Sequence, residues 1–195
     1  MTIAPEDITG LVLAGGQGRR MGQLDKGLQL LRGYPMVMHV IARLAPQVGP
    51  ILISANRNLK AYSDLGHPVV PDRFTGFAGP LAGFEAGLAR LETPYLLTVP
   101  CDCPLLAADL AKRLAAALHA QKADVAMAFT AGRAQPVFSL VRAELGAGLR
   151  RFLEDGGRKV DAWTGGLKMV AVPFDDEAES FRNINTLEEL RASDA

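Results

Sequence analysis

Ile8-Thr9-Gly10-Leu11-Val12-Leu13 runs into Ala14-Gly15-Gly16-Gln17-Gly18-Arg19-Arg20-Met21-Gly22, and Asp25-Lys26 follows closely. The apolar, partly β-branched run predicts a buried strand, and the glycines after it predict a loop leaving the strand's carboxyl end. Glycine has no Cβ to hold a phosphate away from backbone N–H groups, and Arg19, Arg20 and Lys26 supply cations for a polyanion. The stretch reads as a nucleotide site at a strand end. Two common phosphate motifs do not fit it. A P-loop needs lysine directly after its last glycine, whereas Gly22 precedes Gln23; a dinucleotide fingerprint needs G-x-G-x-x-G, and Gly16 to Gly22 is one residue too long. On glycine spacing alone, a strand-to-helix turn carrying solvated charges is an equal alternative.

Working outward, short aliphatic runs recur at Ile51 to Ser54, Val69 to Val70, Tyr95 to Val99, Asp124 to Phe129, Pro136 to Val141 and Met169 to Val172. Helical patterns alternate with them over Pro35 to Ala45, Pro80 to Leu91, Ala107 to Ala120 and Glu144 to Leu153, and Leu187 to Ala192 closes the chain. Leu106, Leu110, Leu114 and Leu118 lie at helical spacing and read as core. The alternation predicts an α/β fold: one Rossmann-like domain in three layers, α/β/α, around a mostly parallel sheet. Ligands of such sheets gather beyond the carboxyl ends of the strands, where Gly15, Asp72 and Asp102 all fall.

Composition narrows the classes. In 195 residues, 49% hydrophobic, 21 basic side chains balance 21 acidic ones, so one sizeable core is expected and no global field favours nucleic acid or an anionic membrane. No apolar run reaches the length of a spanning helix, and Met1 to Asp7 lacks the character of a secretory signal; the expectation is a cytoplasmic protein. The two cysteines, Cys101 and Cys103, are too close for an ordinary disulfide and too few for a zinc site, and read as buried free thiols. His39, His67 and His119 form no cluster and receive no catalytic part.

Asp102 is the candidate ligand for Mg²⁺, a cation that takes one or two carboxylates together with phosphate oxygens and water. From position alone, a turn or N-cap aspartate is the alternative. Lys26 can reach phosphates across the loop or cap a turn. Asp72 offers acceptors for a base edge or a ribose. Gly79 before Pro80 fits a helix start that faces an anion, or a plain turn. Asn183 and Asn185 alternate along an extended segment and would face one side.

The run Leu-Ala-Gly-Gly-x-x-x-Arg-Met-Gly-x-x-Asp-Lys, from Leu13 to Lys26, resembles the signature of the nucleotidyltransferases that handle molybdopterin, the molybdenum cofactor guanylyltransferases in particular. Asp72 after Val69-Val70-Pro71, Gly79-Pro80-Leu81-Ala82-Gly83, Pro100-Cys101-Asp102-Cys103-Pro104 and Asn183-Ile184-Asn185-Thr186 continue the resemblance along nearly the whole chain. It implies a nucleotidyltransferase-type fold and transfer of GMP from GTP to the phosphate of molybdenum-molybdopterin, with release of pyrophosphate. It implies nucleotide contacts from Leu13, Ala14, Gly15, Lys26, Asp72 and Asp102 and Mg²⁺ on Asp102; the glycine cradle adds Gly16 and the helix start Gly79 to the expected nucleotide site, and Arg20, Lys26 and Asp102 are the expected catalytic residues. The family carries Asn where this chain has Ser54, so either Ser54 or Asn56 is expected to make that contact.

For the acceptor, Gln135, Arg158, Asn183 and Asn185 are the candidates, with solvated loop positions as the alternative for the first two. The nucleotide part is expected over about residues 1–105 and the acceptor part over about 106–195 of a single domain spanning 1–195. Molybdenum-insertion proteins and molybdoenzyme chaperones are implied as partners, nucleic acid and membrane are not. Leu13-Ala14-Gly15-Gly16 favours guanine; the alternative is a cytidylyltransferase of the same fold, a group that more often shows Ala-Ala-Gly, acting on molybdopterin or a sugar-like phosphate. The more distant alternative is a non-catalytic guanine nucleotide-binding protein, against which the missing P-loop stands.

Overall fold

A computed structural model describes residues 2–16, 24–74 and 79–194. In chain order these form β1 (Ile8–Leu13), the short strands β2 (Leu30–Leu31) and β3 (Tyr34–Pro35), α1 (Met36–Leu44), β4 (Ile51–Ser54), α2 (Leu59–Ser63), β5 (Val69–Val70) and α3 (Pro80–Leu88). Then come β6 (Tyr95–Pro100), α4 (Leu110–Gln121), β7 (Val125–Thr130), β8 (Arg133–Arg142), α5 (Gly146–Glu154), α6 (Val160–Thr164), β9 (Met169–Pro173) and α7 (Leu187–Asp194). Gln17 to Gln23, with Arg19 and Arg20, and Gly76 lie outside the described residues.

All of β1 but its last residue is buried, as expected of a strand covered on both faces by helices. It pairs in parallel with β4 on one side and β6 on the other, Leu13 standing level with Ser54 and with Pro100. The seven-stranded order is β5-β4-β1-β6-β8-β7-β9. Only β8 runs against its neighbours. The cause is local: β8 follows β7 through Ala131 (φ 48°) and Gly132 (φ 70°), a two-residue turn with both central φ positive, which matches the twist of a hairpin.

Alternation along the strands feeds two cores. Val12, Ile53, Val99 and Leu140 pack with Val37, Val40 and Leu44 of α1, Tyr62 of α2 and the leucines of α4. Leu11, Leu52, Leu96 and Val141 pack with Leu81 and Phe84 of α3, Leu149 and Leu153 of α5 and Trp163 of α6. These are the three layers. Leu106, Leu110, Leu114 and Leu118 are fully buried, as their spacing predicts. A small third cluster, Leu31 and Met36 with Ile184 and Leu190, holds α7 against the β2–β3 hairpin.

The structure departs from the pattern reading in places. α3 ends at Leu88 rather than Leu91, because the Arg90 N–H turns to the Gly87 carbonyl (3.0 Å). α4 starts at Leu110 rather than Ala107, and β8 reaches Arg133. α2, α6 and the β2–β3 hairpin are additions, each too short to show a period. Among the described residues no helix is long and apolar enough to cross a membrane.

Candidate active site

The carboxyl ends of β1, β4, β5 and β6 lie side by side, and the loops leaving them carry the site. Ala14 N–H donates to the Ser54 carbonyl (2.7 Å) and Cys101 N–H to the Leu13 carbonyl (3.1 Å), so the three strands stay in register as they open. Ala14 is buried; Gly15 and Gly16 are exposed at the mouth.

After β6, Asp102 is 8% exposed, and its Oδ2 lies 3.1 Å from Lys26 Nζ. Lys26 opens a short turn (Lys26–Leu28) and also donates to Asn185 Oδ1 at 2.7 Å. Ile184 N–H donates to the Asp102 carbonyl (2.8 Å), and Cys103 Sγ–H donates to Asn183 Oδ1 (2.9 Å). The segment before α7 is thereby sewn to the loop after β6, which brings Lys26, Asp102, Asn183 and Asn185 together. Lys26 in this arrangement is engaged by Asp102 and Asn185 rather than extended alone across the loop. Cys101 and Cys103 are free and buried, and burial pushes both thiols well above their ordinary range.

After β5, Asp72 meets Asn56 twice: Asn56 Nδ2 donates to Asp72 Oδ2 (2.7 Å) and the Asp72 N–H donates to Asn56 Oδ1 (2.8 Å). Ser54 Oγ lies 3.5 Å from Asp72 Oδ1 but is itself only 2% exposed, tucked beneath α3, where a Cβ added to Gly83 would stand 2.9 Å from Ser54 Oγ and 2.6 Å from Leu13 Cδ2. Ser54 therefore supports Asp72 from behind, and the exposed amide beside it is that of Asn56. Desolvation raises the Asp72 carboxyl above the usual aspartate range, hydrogen bonds from Asn56 and Ser54 pull it back, and the Glu85 charge adds to the rise. Gly15 belongs to the same corner, since a Cβ built on it would lie 3.1 Å from Asn56 Nδ2.

Gly79 caps α3 with φ 69° and ψ −164°, a conformation open to glycine, ahead of Pro80 in the first turn. A Cβ there would lie 3.6 Å from the Arg158 carbonyl, so Arg158 stands beside this helix start, its guanidinium donating to the carbonyls of Leu153 (2.8 Å) and Gly157 (2.6 Å). Gln135 donates to Thr130 Oγ1 (2.7 Å) on the β7–β8 hairpin, which projects past the carboxyl end of β6 because Thr98 is level with Ser139.

Among the described residues no three His, Cys, Asp or Glu side chains cluster as a metal cage. One strand-end carboxylate fits a cation shared with a polyphosphate, the arrangement in which Mg²⁺ keeps water and takes phosphate oxygens. Exposed glycine backbone after β1, a clasped carboxylate after β5 and a lysine-paired carboxylate after β6, all at the carboxyl-end edge of one sheet, suit nucleotidyl transfer.

Comparison with known proteins agrees. The MobA-like NTP transferase domain family matches residues 10–167. A protein of Bordetella petrii named molybdenum cofactor guanylyltransferase is 56% identical over 189 residues, covering 95% of this chain and 96% of its own. One of Ralstonia nicotianae with the same name is 55% identical, covering 97% of each chain. This chain belongs to the molybdenum cofactor guanylyltransferase family. Among solved structures, molybdopterin-guanine dinucleotide biosynthesis protein A from Archaeoglobus fulgidus has a TM-score of 0.77 at 24% identity, covering 95% of this chain and 96% of that one. The bifunctional IspDF of Campylobacter jejuni has a TM-score of 0.72 at 15% identity, with 94% of this chain on 53% of that one. At those identities the likeness concerns the fold.

Within this guanylyltransferase-family chain the structure adds residues that motif reading passed over. Arg57 and Asn58 follow Asn56, and both turn back to the Asp25 side of the first loop. Arg73, directly after Asp72, pairs with Glu85, a carboxylate 2% exposed inside α3. The signal was present for the second pair: Glu85 is an acid within the otherwise apolar helix Leu81 to Leu88.

Proposed function

We propose that this chain transfers GMP from GTP to the terminal phosphate of molybdenum-molybdopterin, releasing pyrophosphate and forming the guanine dinucleotide cofactor. The observation that carries this reading is the presence of two differently held carboxylates on the same carboxyl-end edge of the sheet, on either side of the β1 and β4 ends: Asp72, clasped by Asn56, and Asp102, neutralised by Lys26. An ionised Asp72 can accept from the N1–H and amino edge of guanine, which cytosine and adenine do not offer in that form. The exposed backbone of Gly15 and Gly16 and the Lys26 ammonium offer donors for the phosphates, and Arg20 is assigned a further cation. Leu13 and Ala14 support the nucleotide side by holding the loop's first residues on the sheet, and Gly79 by its place at the start of α3.

Asp102 would hold Mg²⁺, which when bound supplies charge neutralisation for the triphosphate and the departing pyrophosphate. A phosphate monoester oxygen is ionised at neutral pH and attacks the α-phosphorus in line, so no strong general base is required. As the acceptor's phosphate approaches, Lys26 can exchange its bond to Asn185 for one to a phosphate oxygen, which leaves the Asn185 amide for the pterin. Asn183, Gln135 and Arg158 are assigned to the acceptor side, giving a nucleotide part over about 1–105 and an acceptor part over about 106–195. Two buried free thiols suit a reducing compartment such as the cytoplasm, where molybdenum-insertion proteins and molybdoenzyme chaperones would be met.

The test is pyrophosphate release by the purified chain with Mg²⁺ and GTP, CTP or ATP. Release with GTP that needs the molybdopterin acceptor supports the reading. Preference for CTP moves it to a cytidylyltransferase, and nucleotide binding without pyrophosphate under any acceptor moves it to a nucleotide carrier.

A further inference from the structure

The tripeptide Asn56-Arg57-Asn58, where the chain leaves β4, reaches both halves of the nucleotide site. Asn56 holds Asp72. Arg57 Nη2 donates to two backbone carbonyls at once, Gly16 at 3.2 Å and Leu24 at 3.1 Å, and its Nε lies 3.5 Å from Asp25 Oδ2. Those carbonyls bracket the glycine and arginine motif in the chain. Asn58, in the left-handed region at φ 51° that asparagine tolerates, donates its Nδ2 to Asp25 Oδ2 at 3.0 Å.

Asp25 is in turn fixed from within the protein. It is 7% exposed and accepts from the hydroxyl of fully buried Tyr62 at 2.5 Å, while its own carbonyl accepts Gln29 Nε2 at 3.0 Å. Burial, the nearby Cys101 and the bond to the Asp25 carboxylate keep the Tyr62 hydroxyl protonated far above the usual tyrosine range, so it serves as a donor throughout. The next residue is Lys26.

We infer that Arg57 is a positioning residue for the phosphate subsite: by bridging Gly16 to Leu24 and anchoring on Asp25, it sets the separation between the exposed Gly15–Gly16 backbone and the Lys26 ammonium. The inference rests on the guanylyltransferase reading. A planar guanidinium suits the task because one terminal nitrogen, Nη2, directs two N–H bonds at two carbonyls while Nε, in the same plane, stands near a carboxylate. Transfer at phosphorus depends on holding charge donors at fixed distances, so a loosened bridge weakens phosphate binding and turnover together. Base recognition sits on Asp72, held by Asn56 one residue before Arg57, and does not use the bridge. Neighbouring side chains of one loop thus serve different parts of one ligand.

Binding of GTP, inorganic tripolyphosphate and guanosine, each with Mg²⁺, separates the two. For Arg57→Ala, loss of charge-assisted bonds predicts about 10–100-fold weaker GTP and tripolyphosphate, and guanosine affinity unchanged within about two-fold. Added guanidinium chloride at low millimolar concentration restores part of the GTP turnover, and the same concentration of sodium chloride does not. Asn56→Ala shows the converse, with guanosine weakened and tripolyphosphate retained. Where Arg57→Ala does not fold, as judged by thermal melting, Arg57→Gln keeps the stem and is measured instead. Unchanged tripolyphosphate binding, or an equal loss for tripolyphosphate and guanosine, overturns the inference. A wild-type chain that binds no GTP overturns the functional reading and this inference with it.

Discussion

Asn56 and Asp72 are joined by a two-bond clasp, the side-chain amide of one meeting both the carboxylate and the backbone N–H of the other at 2.7 and 2.8 Å. Each bond leaves Asp72 with less freedom to turn away from a base, and together they place a half-buried anion at the carboxyl end of β5. The position is costly for the carboxylate, because burial raises its pKa more than the Asn56 and Ser54 hydrogen bonds lower it.

If Asp72 reads the guanine edge as proposed, that balance predicts pH-dependent GTP binding. As pH falls, Asp72 takes up its proton earlier than an ordinary aspartate, and the guanine edge loses its acceptor. Asn56→Ala removes a bond that favours the anion, so the midpoint moves to higher pH; titrating GTP affinity against pH in both proteins checks the order. The stability sign is opposite. With the folded pKa raised, the native state binds the proton more tightly than the unfolded chain, so stability falls as pH rises from the unfolded pKa through the folded one. Asp72→Asn removes that dependence and is expected to leave the urea midpoint at neutral pH equal or higher, while GTP affinity drops about 10–100-fold.

Much of this corner is legible in the sequence. β1, β4 and β5 begin and end where their aliphatic runs do, since parallel pairing in the sheet and a helical layer on each face bury most of their side chains. Asp72 and Asp102 stand out because each follows such a run at once. The clasp itself was not legible, for Asn56 and Asp72 are joined by strand order and not by spacing. Arg57 was hidden for the same reason, its carbonyl partners lying at Gly16 and Leu24. The five-residue helices α2 and α6 carry too few turns to show a face.

The ion pair of Lys26 with Asp102 predicts unequal losses. Asp102→Ala is expected to remove nearly all Mg²⁺-dependent transfer, and Lys26→Ala to lower kcat about 100-fold or more, as for other lost anion-stabilising donors. Asn185→Ala takes away a second acceptor of Lys26 and the amide assigned to the pterin, and a few-fold rise in KM for the acceptor is expected. None of these touches the backbone bond from Ile184 N–H to the Asp102 carbonyl at 2.8 Å, so α7 stays docked. Circular dichroism and melting of the three variants check that the fold persists; wild-type rates in Asp102→Ala would remove it from the mechanism.

Arg73 and Glu85 supply the stability counterpart. Arg73 Nε donates to Glu85 Oε2 at 3.1 Å, and a second guanidinium nitrogen pairs with Oε1. Glu85 is 2% exposed whereas the Arg73 side chain is half in solvent. Removing one partner of a fully buried pair costs about 3–5 kcal/mol; with one partner partly solvated, about 2–3 kcal/mol is expected for Arg73→Met. Arg73→Met with Glu85→Leu should recover most of that loss, since an apolar pair needs no compensation. Urea unfolding of the single and double variants reads the difference, and equal destabilisation in both would show that the charge pair is not the cause.

The thiols on either side of Asp102 test the burial of that loop directly. Cys103 donates to Asn183 Oδ1 at 2.9 Å, Cys101 lies against the Lys26–Leu28 turn, and desolvation holds both thiols protonated well above neutral pH. A buried, protonated thiol is a poor nucleophile. Iodoacetamide at pH 7.5 is therefore expected to label neither cysteine in the folded chain and both after denaturation, as counted by intact mass. Asn183→Ala removes the shorter of the two bonds made by Cys103, leaving the longer one to the Phe181 carbonyl, and should raise the labelling rate there while Cys101 stays protected. Fast labelling of both cysteines in the native wild type would mean that the loop carrying Asp102 opens to solvent, and that Lys26 and Asn185 do not hold it closed.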